Sequence, residues 1–359
     1  MAGDIERIPA PPPEVFREEY LLKRRPVILT GLFDGQEVTK FKTIEAARVQ
    51  FGHLPLSVQD EYVTGVMKAA SVVGAEPEQP QTMTLNDYLD FVRANPGTRR
   101  MCSERPTPPE VLSLFALPPY DGYEDAISSY FIGNQGNFAH LHFDGDYRHV
   151  FFYQVFGTKR IILIPPSQAL KLNAVGNQGG WNLENFSEED KQDFVRFVRG
   201  YDCVLEAGET LFMPACIWHY LEYTTTSMSF NLRFGRNEYT RFFGNSFHMN
   251  VYLQNIAELM VNTEVARRDY AQVFAELRNA YNEPYASSEE KYRGLQKTFE
   301  RVYHRYCPES IQSPYALADP EVLRQIYQKG AERLYQPSVD AQALLHGWAS
   351  VGSGFTDAR

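Results

Sequence analysis

From Ile127 to Phe234 the chain reads as short runs of β-branched and aromatic residues: ISSYFIG, HVFFYQVF, KRIILIPP, DCVLEAGETLFMP, IWHYLEY and SMSFNLRF. Glycines such as Gly133, Gly136 and Gly157 punctuate them. Runs of this kind form strands, because branched and aromatic side chains fit a pleated surface and crowd a helical turn. One segment, Ser167 to Gly200, breaks the pattern. It is polar, Asn/Gly-rich and then helical (SEEDKQDFVRFV), and it reads as an insertion between strands.

The flanks are different. Pro11 to Pro13 lead into a helical pattern, VFREEYLLKRR, followed by a strand-like run from Pro26 to Thr30 that ends at Gly31. The basic patch Lys23 to Arg25 reads as a solvated helix end. A second helix is expected from Thr84 or Asn86 through LNDYLDFVRA, stopping before Pro96-Gly97. After about Asn237 apolar residues recur at helical spacing: Tyr270, Val273, Phe274, Leu277 and Tyr281, then Tyr292, Leu295, Phe299, Val302, Tyr303 and Tyr306. A third face, Val322 to Leu334, starts behind the cap Asp319-Pro320. The expected architecture is a β core with a helical C-terminal region. The C-terminal faces would pack on the core or form a homodimer.

A formal charge of −10 argues against broad binding to nucleic acid or anionic membranes. Cys102, Cys203, Cys216 and Cys307 are scattered without a CxxC pair, so neither a disulfide framework nor a zinc ribbon is expected. The N-terminus, MAGDIERIPAPPPEVF, has no apolar signal core, and no stretch approaches the roughly 20 apolar residues of a membrane span. A soluble, cytoplasmic protein is the expectation.

The chemistry concentrates in FAHLHFDGDYRH, where His142-Phe143-Asp144 is a His-x-Asp. In an extended segment, residues two apart face one side, so imidazole and carboxylate converge on one ion. His219 follows 75 residues after Asp144. Two histidines and a carboxylate make the facial triad of non-haem iron(II), with three positions left open. A His-x-Asp alone is weak evidence, because a lone histidine on an apolar strand is more often a hydrogen-bonded core residue. Three features add to it. Lys159 enters an apolar strand just past Gly157, where burial is costly unless an anion meets it; its neighbour Arg160 reads as the surface residue. Gly208-Glu209 turns the chain into LFMPACIWH, a strand ending at His219. Asn231 is a polar residue between apolar neighbours. His140, Asp146 and His149 are not needed as ligands.

The pieces GNQGNFAHLHFD, FFYQVFGTKRIILIPPS, GETLFMPACIWHYLE and SFNLRF, with REEYLLKRRPVILTGLF before them, resemble the JmjC/cupin-like hydroxylases, the group that includes the asparaginyl hydroxylase acting on hypoxia-inducible factor. The resemblance covers most of residues 8 to 240. It implies a double-stranded β-helix (jelly-roll) domain over residues 1–240, with the helical region over 241–359. It further implies Fe(II) at His142, Asp144 and His219, 2-oxoglutarate with its distal carboxylate on Lys159, Asn231 near that co-substrate, and dioxygen as oxidant. Two departures stand out. Ala139 occupies a position, three before the first ligand, where many relatives have Ser or Thr, and Tyr130 is the candidate to supply the missing hydroxyl. The spacing from Asp144 to Lys159 is two residues longer than in the asparaginyl hydroxylase. The expected activity is hydroxylation of a C–H bond in an amino-acid side chain of a peptide or protein substrate. N-methyl-lysine demethylation, a free amino acid or peptide natural product, and a metal-binding cupin without oxygen chemistry are the alternatives. Ser167–Gly200 would be a lid or a plain surface excursion.

Overall fold

In a computed structural model the described residues are 3–60, 80–123, 126–172 and 181–236 apart from 182, with short pieces between 276 and 301. Fourteen strands are present among them: β1 (Gly3–Asp4), β2 (Arg7–Pro9), β3 (Val27–Thr30), β4 (Pro55–Asp60), β5 (Gln81–Thr84), β6 (Arg100–Pro106), β7 (Ile127–Gly133), β8 (Phe138–His142), β9 (His149–Phe156), β10 (Lys159–Ile164), β11 (Tyr201–Leu205), β12 (Thr210–Met213), β13 (Trp218–Tyr223) and β14 (Ser227–Phe234). The runs seen between residues 127 and 234 are all strands. They divide between a five-stranded sheet, β1-β11-β10-β13-β8, and a nine-stranded sheet, β2-β3-β12-β9-β14-β7-β6-β4-β5. Of strands β7 to β14, β7, β9, β12 and β14 lie in the large sheet and β8, β10, β11 and β13 in the small one, in the manner of a jelly roll.

Both faces of the large sheet are covered, and each has its own core. Val150, Phe152, Ile161, Leu163, Leu211, Met213 and Leu221 meet inside the barrel. Phe151, Tyr153, Phe212, Phe230 and Tyr130 face outward, against the N-terminal helices and β3. Phe16, at the end of the helix Pro13–Phe16, stacks on Tyr120 (4.1 Å, 18°) and meets Phe212 edge-on (4.9 Å). Burying one such ring contributes roughly 1.5–3 kcal/mol, which anchors the entry segment to the sheet. Past Phe16 the helix widens into a π turn over Arg17–Leu21.

Two helices start as the sequence indicates. Thr84 caps Leu85–Ala94 in a reciprocal box with Asp87, and Ser187 caps Glu188–Phe197 in the same way with Asp190. The second helix belongs to the excursion between β10 and β11. It docks on the outer face of the five-stranded sheet, where Lys191 reaches Glu222 (2.6 Å) and Arg160 bridges Glu188 and Asp202. Glu222 and Arg160 alternate with the inward residues of their strands, so this helical half is fastened to the back of the barrel. It does not cover the inward face, as a lid would; residues 173–180 and 182 lie outside the described residues. The helical faces expected from Tyr270 onward, and the homodimer built on them, also lie almost wholly outside them. No described helix is long and apolar enough to cross a membrane.

His149 lies on the outward face of β9, between the rings of Phe212 (5.7 Å) and Phe234 (5.6 Å), and its Nδ1 accepts the Ala215 N–H (3.1 Å). It is a core histidine. Burial, helped by Arg24, lowers its pKa to about 3. The unfolded chain therefore binds a proton that the folded chain refuses. This contribution is fully present above the unfolded value near 6.5 and is lost as pH falls toward 3. Chemical denaturation between pH 4 and 7 should show a pH slope shallower in His149→Gln than in wild type by up to about 1.4 kcal/mol per pH unit. Equal slopes would mean that His149 is not held neutral.

Candidate metal centre

Strand β8 ends at His142, which stands opposite His219 of β13 in the antiparallel register, next to a bulge between His219 and Leu221. Asp144 lies just past the strand end, not on it, yet still turns to the same point. Each imidazole is oriented by the carbonyl two residues before it. His142 Nδ1 donates to the His140 carbonyl (2.6 Å), and His219 Nδ1 donates to the Ile217 carbonyl (3.1 Å). A carbonyl only accepts, so both Nδ1 atoms carry the hydrogen and both Nε2 atoms present lone pairs. Those lone pairs face one oxygen, Asp144 Oδ1, at 3.7 Å from His142 and 3.8 Å from His219. The three ligand atoms lie within 4.8 Å of one another. With ligand bonds of about 2.1 Å, donors around one ion sit roughly 3–3.5 Å apart, so the gaps from each imidazole to Asp144 close with shifts of a few tenths of an ångström.

The electrostatics keep this donor set ready. Burial and then His219 lower the His142 pKa to about 4 against the pull of Asp144, so His142 is neutral at neutral pH. Burial pushes the Asp144 carboxyl up, but Arg233, His219 and His142 outweigh it and hold it below the usual carboxylate range. A cavity lined by Asp144, His219, Arg148, Val150, Met213 and Cys216, among others, borders the triad. Two imidazole nitrogens, one carboxylate and open space beside them suit non-haem Fe(II).

Lys159 lies inside the barrel. The turn that delivers it needs Gly157, at φ +69°, because a Cβ there would fall 2.3 Å from the Thr226 carbonyl. In register, His219 faces Leu163, Leu221 faces Ile161 and Tyr223 faces Lys159. The lysine thus lies on the same inward face as His219, two rows deeper. Its Nζ donates to Ser229 Oγ (2.8 Å) and sits over the rings of Tyr223 (4.1 Å) and Phe152 (4.8 Å). Among the described residues no carboxylate pairs with it, and burial alone drives its pKa well down. Asn231 is buried on the inward face of β14, and its Oδ1 has no partner among the described residues.

Tyr130 requires a correction. It pairs in register with Phe230, belongs to the outward core, and its hydroxyl donates to the Pro55 carbonyl. The sheet lies between it and the barrel interior, so it cannot supply the hydroxyl that Ala139 lacks. Sequence reasoning missed Ser129 and Ser229, both inward-facing by register with Asn231 and Phe131. It also missed Arg233, whose Nη2 lies 3.2 Å from Asp144 Oδ2 and 2.6 Å from Glu104. One signal was available: Ser229, Asn231 and Arg233 alternate along one strand, which marks a polar inward row.

Residues 12–239, more than half of the chain, match the model of the cupin-like domain. Among curated relatives, lysine-specific demethylase 8 of Xenopus tropicalis is 25% identical over 64% of this chain and 52% of its own length. Lysine-specific demethylase JMJ30 of Arabidopsis thaliana is 25% identical over 60% and 51%, respectively. The tRNA wybutosine-synthesizing protein 5 of Danio rerio is 29% identical over 40% and 45%. The chain spans about half the length of these relatives. The domain match, the jelly roll and the His-Asp-His cluster agree, and the chain belongs to the JmjC-type cupin-like family.

Proposed function

We propose that this protein is an Fe(II)- and 2-oxoglutarate-dependent oxygenase that hydroxylates a C–H bond of an amino-acid side chain in a peptide or protein. The observation that carries the reading is Lys159: a buried lysine with, among the described residues, a hydroxyl and two rings around its ammonium and no carboxylate, on the inward face that leads to His219. Such a cation is costly unless an anion arrives, and a dicarboxylate bound toward the triad supplies one. His142, Asp144 and His219 would hold the iron. Lys159 would grip the distal carboxylate, with Ser229 orienting the ammonium and the Asn231 amide donating to a co-substrate oxygen. When bound, iron and 2-oxoglutarate supply oxidation by dioxygen, with the co-substrate leaving as succinate and carbon dioxide. The apolar lining of Val150, Met213, Ile161 and Leu163 excludes water from that space.

Relatives named as lysine demethylases favour a protein side chain as target and keep N-methyl-lysine demethylation as a second reading. The tRNA relative carries less weight here, because a chain of net charge −10 does not attract a polyanion. The test is direct. Protein incubated anaerobically with Fe(II) and 2-oxoglutarate, then exposed to air, should form succinate slowly without a prime substrate, and Asp144→Ala should fall to background. Absence of succinate, together with absence of a 2-oxoglutarate-dependent visible band, would make the protein a cupin without oxygenase chemistry.

A further inference from the structure

We infer that Arg233 is a positioning residue that restricts Asp144 to one coordinating oxygen and so keeps an adjacent position on the ion open. This rests on the triad binding a divalent ion, as proposed above. The two oxygens of Asp144 are divided: Oδ1 faces both imidazole Nε2 atoms, whereas Oδ2 is engaged by Arg233 Nη2 at 3.2 Å. A carboxylate with both oxygens free binds divalent ions in one- or two-oxygen modes, and the second mode consumes a position that co-substrate or oxygen needs.

Arg233 is itself held. Nη2 pairs with Glu104 (2.6 Å) and Nη1 with Asp146 Oδ2 (3.6 Å), the oxygen that also accepts from Arg148 (3.0 Å). Glu104 reaches this point because the β6–β7 register slips between Cys102 and Arg105, and Glu104 takes a left-handed conformation at φ +56°. A bulge re-aims a side chain in this way, and such a conformation is uncommon for a residue other than glycine. Three carboxylates and two guanidiniums therefore meet at the edge of the triad, with Arg233 the one that touches a ligand.

The consequence has an unusual sign. Removing an oriented residue normally weakens a metal site by tenfold or more. Removing Arg233 instead frees the second oxygen of Asp144 and takes a positive charge from beside the ion, and both changes tighten binding.

The probe is Mn(II) alone, added to the full chain. Affinity is read from the free-ion electron paramagnetic resonance signal, and open positions from water-proton relaxation. In Arg233→Met, Mn(II) should bind about tenfold more tightly, while relaxation per bound ion falls by about a third as one of three open positions closes. Arg233→Gln serves if the methionine variant does not fold, with the same expected signs. Arg233→Lys, which keeps the charge, should return both readings toward wild type. Folded neutral variants with wild-type affinity and relaxation, or with weaker binding, would overturn the inference. If wild type binds Mn(II) no better than His142→Ala, the metal-centre reading itself fails, and this inference with it.

Discussion

Replacing Lys159 with methionine should make the ligand-free protein more stable while abolishing 2-oxoglutarate binding. Methionine fills nearly the same volume and carries no charge to desolvate. The loss of one hydrogen bond to Ser229 Oγ costs about 1 kcal/mol. Removing a buried cation that has no carboxylate partner among the described residues gains more, so the net change should be a stabilisation of roughly 1–4 kcal/mol. The pH dependence has a definite sign. The folded-state pKa of Lys159 lies below the unfolded one, so the unfolded chain binds more protons, and stability rises with pH up to the unfolded value. That slope should vanish in the variant. Binding moves the other way: loss of a buried charge pair costs about 3–5 kcal/mol, which is roughly 10²–10⁴-fold in co-substrate affinity. Denaturant melts and calorimetric titration with 2-oxoglutarate read the two effects separately. A destabilised variant that still bound the co-substrate would show that Lys159 is a structural residue and that the dicarboxylate lies elsewhere.

The second large effect is the stability gained from the ion. The triad is assembled with both lone pairs and Oδ1 already aimed inward, so a divalent ion binds the folded chain far better than the unfolded one. At a free concentration 100 times Kd it should add about 2.7 kcal/mol, visible as an increase of several degrees in Tm. His142→Ala should lose this increment. His142 is partly exposed at the strand end, so its removal should change ion-free stability by about 1 kcal/mol, the value of its hydrogen bond to His140. An equal thermal shift in variant and wild type would place the ion at a different site.

The ligands and Lys159 were legible because their chemistry conflicts with their surroundings: charged or imidazole groups at fixed spacing in runs otherwise suited to burial. The strands were legible from composition. The orientation of a given strand was harder to read. In ISSYFIG, Tyr130 and Phe131 lie on opposite faces, and both faces are covered by protein, so no solvent-facing polar row distinguishes them. Tyr130 was assigned to the wrong side for that reason. Arg233 escaped notice because an arginine near a strand end resembles a surface residue; only the register with Asn231 and Ser229 turns it inward. Glu104 could not be found at all from sequence. It depends on a one-residue slip between β6 and β7, and nothing in RMCSERP announces it.

Strand β14 separates two kinds of selection within eight residues. Met228, Phe230, Leu232 and Phe234 belong to the outward core, while Ser229, Asn231 and Arg233 face the centre. A substitution at Ser229 or Asn231 alters what the barrel interior can bind and leaves the outward packing that holds the strand in the sheet. A substitution in the first set does the reverse. Changes in what the barrel interior binds can therefore accumulate at alternate positions of one strand without eroding the outward core that carries it. In a library randomised at positions 229 and 231, the proteins should remain folded more often than in one randomised at 228 and 230, whereas position 233 is held by its buried ion pairs with Asp144, Glu104 and Asp146.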